Sequence, residues 1–83
     1  MNLLVLTPGK KVFEGNITSV KVPGVGGQFE ILNNHAPIVS ALGEGEVRII
    51  EQGGATQQFK ITQGFVEVLR NEVALLIQSV VEE

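Results

Sequence analysis

Val22–Leu42, VPGVGGQFEILNNHAPIVSAL, decides how this sequence is read. Three glycines fall between Pro23 and Gly27, and another proline stands at position 37. Each interior glycine costs a helix about 1 kcal/mol relative to alanine, and each proline about 3. No helix fits this stretch. What remains is extended chain broken by turns. Gln28–Leu32 reads as a strand with Phe29 and Ile31 on one face. Asn33-Asn34 tolerates left-handed backbone and marks a turn, after which 36–42 returns to an apolar run.

The same grammar extends in both directions. Ile17–Val22 is rich in β-branched residues and reads as a strand, with Thr18, Val20 and Val22 on one face and Ser19 and Lys21 on the other. Gly15-Asn16 is expected to break it from a short extended piece over 11–14, and Thr7-Pro8-Gly9 separates that piece from an apolar first strand over 3–6. Toward the C-terminus, 46–51 alternates, Gln52-Gly53-Gly54 signals a hairpin, and 56–62 places Phe59 and Ile61 inward. A strand over 65–70, a turn at Asn71 and a final apolar strand over 72–81 complete the chain. Turn signals recur every ~8–12 residues and no window holds a helical period, which predicts an all-β sandwich or barrel.

With 83 residues the chain suffices for one small domain, 1–83, and no more. A domain of this size hides only roughly 60% of its unfolded surface, so covering by partners would add stability. Leu3–Leu6, Val47–Ile50 and Val73–Ile77 are apolar on both faces, whereas an antiparallel sheet usually buries one. Their outward side chains are candidates for a partner interface. The bland alternative is that these strands are central or that single apolar residues are simply exposed.

The composition excludes more chemistry than it suggests. There are no cysteines, hence neither disulfides nor thiolate ligands. Net charge is −3, from nine Glu against six Lys and Arg, which argues against nucleic acid as partner. No apolar run is long enough for a membrane-spanning helix, so no direct lipid insertion is expected. No basic n-region follows Met1, and no signal peptide is read there.

His35, the one histidine, lacks the companions a zinc site or a catalytic triad requires. A structural or interface role suits it better. Gly24-Val25-Gly26-Gly27 lacks the G-x-G-x-x-G spacing and leads into a strand, so it is a tight turn and not a phosphate cradle. Glu44 and Glu46 flank a turn, where solvated charge is the ordinary reading. Lys21 and Lys60 lie mid-strand, which excludes a lysine-tip carrier domain. No catalytic residue, metal ligand or cofactor is expected.

Several spaced motifs carry a resemblance. They are Val-Pro-Gly…Gly-Gly-Gln-Phe-Glu-Ile-Leu over 22–32, Asn34-His35-Ala36-Pro37, Leu42…Gly45, and Gly64-Phe65-Val66-Glu67-Val68 followed by Asn71-Glu72-Val73. Phe13 and Gly15 fit as well. Together they resemble the N-terminal β domain of the epsilon subunit of F-type ATP synthases, in a short form without the family's frequent C-terminal helical hairpin. Two departures stand out. Glu30 occupies a position where the family usually has glycine, which implies strain if that site needs φ > 0, and Asn33 stands where many members have proline.

The resemblance implies a small antiparallel β-sandwich or flattened barrel of about ten short strands. It implies a non-catalytic rotor subunit of the central stalk, peripheral to the cytoplasmic face of the bacterial inner membrane. Such a subunit links the gamma subunit to the ring of c subunits and couples proton-driven rotation to ATP synthesis. Carried over by position, Thr7, His35, Ala36, Pro37 and Ser40 fall at the gamma interface, and Gly26, Gly27, Gln28 and Glu30 at the c ring. The alternative is a generic β-sandwich module that binds a small ligand or peptide, which would require a concave apolar pocket.

Overall fold

The computed structural model describes residues 1–81, all in strands, turns and loops. Nine strands follow in order: β1 (Asn2–Thr7), β2 (Lys10–Gly24), β3 (Gly27–Leu32), β4 (Ile38–Leu42), β5 (Gly45–Glu51), β6 (Thr56–Ile61), β7 (Gly64–Leu69), β8 (Glu72–Ile77) and β9 (Val80–Val81). They form two layers. One is β1-β8-β7-β4 and the other is β3-β2-β5-β6, with β9 beside β6. The long β2 joins them, pairing with β1 through its first half, with β3 and β5 through its second, and with β4 at Gly24↔Leu42. The circuit β1-β8-β7-β4-β2-β1 thereby closes into a flattened barrel.

Two details differ from the expected antiparallel arrangement of about ten strands. The described residues form nine: β2 merges two of the predicted strands, and the break at Gln78-Ser79 cuts the predicted last strand into β8 and β9. The β1–β8 pair is parallel, in register from Asn2↔Glu72 to Leu6↔Leu76. Parallel neighbours need a long crossover, and here nearly the whole chain lies between the two strands.

The predicted break at Gly15-Asn16 does not occur, and β2 runs through it. The chain bends instead at two bulges. Val5 faces Phe13 and Leu6 faces Lys11, leaving Val12 as the extra residue. Ile17 faces Glu51 and Ser19 faces Ile50, leaving Thr18 extra. An extra residue on one strand shifts the alternation by one. Ile17 and Val20 are therefore both buried, although simple alternation would separate them. Thr18, expected on one face with the buried Val20 and Val22, is exposed and donates its hydroxyl to Ile50 O at 3.2 Å.

The core between the layers is wholly aliphatic. Leu3 and Val5 (β1), Ile17, Val20 and Val22 (β2), Ile31 (β3), Val47 and Ile49 (β5), Ile61 (β6), Val66 and Val68 (β7) and Leu75 (β8) are almost completely buried. Phe13, Phe29 and Phe59 close its rim. Among the described residues no buried side-chain polar atom lacks a partner. The radius of gyration is 11.4 Å, against about 12 Å expected for a compact chain of this length.

Candidate partner-binding surfaces

The two layers turn very different faces to solvent. In the first, register aligns the outward side chains into rows. Leu6 lies beside Leu76, Leu76 beside Phe65, and Phe65 beside Ala41. The next row is Leu4, Ala74, Glu67 and Val39. Phe65 is 56% exposed, Leu76 51% and Val39 72%. In the second layer the outward row is Glu30, Lys21, Arg48 and Gln58, with Glu46 beside Lys60 next to it. One face is thus predominantly apolar and the other charged, a contrast that scattered exposed residues would not give.

The β3–β4 loop, with His35, Ala36 and Pro37, is built on asparagines. Asn34, Arg70 and Asn71 have φ of 64°, 52° and 64°. Two successive positive-φ residues at Arg70-Asn71 make the tight turn of the β7–β8 hairpin. The Asn71 side chain then ties that turn to the loop. Asn34 N donates to Asn71 Oδ1 at 2.8 Å, and Asn71 Nδ2 donates to Asn33 Oδ1 at 2.8 Å. His35 N donates to Leu32 O at 3.1 Å, while its ring Nδ1 donates to Ala36 O at 2.7 Å. A carbonyl can only accept, so the proton resides on Nδ1. Both visible bonds of His35 shape the loop. Ala36 and Pro37 are exposed beside it.

Gly26, Gly27, Gln28 and Glu30 lie along a single hairpin. Val25-Gly26 form its two-residue tip, closed by the Gly24↔Gly27 pair, and all four candidate residues are exposed. Gln28 and Glu30 share an outward face. Glu30 sits in regular strand opposite Lys21, and the described non-glycine residues with positive φ do not include it. The strain considered for this position is absent, because a paired strand has no need of a left-handed residue here.

The candidates Thr7, His35, Ala36, Pro37 and Ser40 do not form one cluster. Ile38 shares a row with Leu3, while Ala41 shares one with Leu6, the residue before Thr7. Thr7 is therefore four residue steps, about 13 Å, along the sheet from the His35 end. It groups instead with the hairpin tip. Thr7, Val25, Leu42, Phe65, Leu76 and Gln78 line an open groove of about 760 Å³. Ser40 is half-buried, opposite the buried Val66, and points to the inner side of its strand. Its neighbours Val39 and Ala41 carry the outward face. Val39, Phe65 and Leu69 were not expected there; outward apolar residues had been expected on β1, β5 and β8, and over Val47–Ile50 of β5 the exposed position is Arg48, with Val47 and Ile49 buried. In β7, Phe65 and Leu69 flank Glu67 at a spacing of two, which from sequence alone looks like a solvated face.

Across all of residues 1–83 the sequence matches the family model described as the ATP synthase delta/epsilon chain, beta-sandwich domain. The chain belongs to this ATP synthase delta/epsilon family. A similar relative is the ATP synthase epsilon chain of Chlorobium limicola, 41% identical over 76 residues, covering 92% of this chain and 86% of that one. A chain of the Euglena gracilis mitochondrial ATP synthase, solved in an assembly of OSCP, F1 and c-ring, superposes with a TM-score of 0.89 at 20% identity. The match covers 95% of this chain and 51% of that one. A chain from the Tetrahymena thermophila central stalk and c-ring superposes with a TM-score of 0.81 at 20% identity, covering 99% and 66%. Both solved chains extend well beyond the matched region.

Proposed function

We propose that this domain is a non-catalytic rotor subunit of the ATP synthase central stalk. Its apolar layer would bind the gamma subunit, and its β2–β3 hairpin would meet the ring of c subunits. Family membership over the full sequence supports the setting. The observation that carries the reading is the two-faced exterior, with Phe65, Leu76 and Val39 exposed on one layer and charged residues on the other. A drier, more permanent interface suits the apolar face, and polar loops suit the hairpin.

The subunit would act by stiffness. Strands cross-linked by ladders around a close-packed aliphatic core transmit force with little deformation. No step of bond-making is assigned to it. In a bacterial cell it would lie on the cytoplasmic face of the inner membrane, held there through the complex. Residues 1–83 would form one β-sandwich domain.

The test is co-purification with a gamma subunit from a related bacterial ATP synthase. The expected outcome is a stable one-to-one complex. A folded monomer that ignores gamma would overturn the proposal.

A further inference from the structure

The apolar layer carries one charge near its centre. Glu67 stands in the row Leu4, Ala74, Glu67, Val39, with Phe65 and Leu69 two residues away on the same strand. Glu67 lines two grooves, one with Pro37, Val39 and Leu69, the other with Leu4, Leu69 and Ala74 and also Asn2 and Glu72. Among the described residues no hydrogen bond or ion pair reaches it. Arg70 shares the second groove without pairing to it.

Covering this face with a purely apolar surface would bury an uncompensated carboxylate, which is strongly unfavourable. A second copy of the chain packed symmetrically over the same face would bring Glu67 toward its own counterpart, with Glu72 adding to the repulsion. We infer that Glu67 is the specificity-determining residue of this face, and that the occupant is a gamma-subunit segment presenting a Lys or Arg among apolar side chains. The inference rests on the gamma-binding role proposed above and adds the chemistry of what is recognised. Apolar contact would supply the area, and the buried charge pair would fix orientation and exclude other surfaces.

Binding of purified gamma subunit to the wild-type chain, Glu67→Gln, Glu67→Lys and Glu44→Gln tests this by titration calorimetry across a range of salt. Glu67→Gln should weaken binding at least about tenfold and flatten its salt dependence, Glu67→Lys should abolish it, and Glu44→Gln should match wild type. Circular dichroism and melting should be unchanged for Glu67→Gln, since the side chain is exposed. If wild type binds gamma and Glu67→Gln binds equally well, the inference falls while the rotor role stands. If wild type does not bind gamma at all, the rotor role fails and takes the inference with it. A wild-type dimer in ultracentrifugation that Leu76→Asp dissolves would assign the face to a second copy and overturn the inference.

Discussion

At the scale of single residues, backbone geometry and close approach matter more than chemistry. Gly64 lies where β7 meets β8, and a Cβ added there would come within 2.5 Å of Leu76 O. A backbone carbonyl in a ladder cannot move aside. Gly64→Ala should therefore cost about 1–3 kcal/mol, read as a lower urea midpoint. Asn71 combines a left-handed φ with two side-chain bonds to the neighbouring loop. Asn71→Gly retains the φ and loses the bonds, while Asn71→Ala loses both. The alanine variant should be less stable than the glycine variant by about 1 kcal/mol. Equal stability in urea unfolding would show that φ is not what selects asparagine there.

At the scale of elements, the bulges in β2 decide which side chains reach the core. Ile17 is 3% exposed, whereas Thr18 is exposed and outside the alternation. Ile17→Ala should cost about 2–5 kcal/mol, and Thr18→Val less than about 1 kcal/mol. Denaturant titration of the two variants checks this, and the reverse order would restore the simple alternation. The elements were well legible otherwise. The strands after Gly26-Gly27, Asn33-Asn34 and Gly53-Gly54 begin close to where turn chemistry puts them, because φ > 0 and missing side chains are local properties. Gly15-Asn16 misled because a strand paired on both halves tolerates a bend that an isolated one would not. The bulge at Thr18 was illegible because a two-against-one register exists only relative to a partner strand.

At the scale of the whole molecule, stability and binding are divided between the two sides of one sheet. Leu75 and Leu76 are neighbours in β8, yet Leu75 is 0% exposed and Leu76 51%. Leu75→Ala should cost about 2–5 kcal/mol and lower the melting temperature, whereas Leu76→Ala should shift it little and weaken gamma binding. Thermal melts and gamma pull-downs with both variants separate these effects. Loss of stability in both, without loss of binding in Leu76→Ala, would remove the apolar face from the proposed interface.

Sequence alone determined that the chain is free of cysteine and, over its described residues, all-β, built from turns that only glycine, proline and asparagine make cheaply. It also carried the spaced motifs of the ATP synthase epsilon chains, now matched across its full length. Tertiary structure alone decided which residues stand together. It separated Thr7 from His35 and Pro37, turned Ser40 inward, and assembled Leu6, Leu76, Phe65 and Ala41 from four strands into one row. The reason is physical. Turn preference and side-chain alternation are written in neighbouring residues, but an outer face is defined by register between strands as far apart as Leu6 and Leu76, and only the folded ladder sets that register.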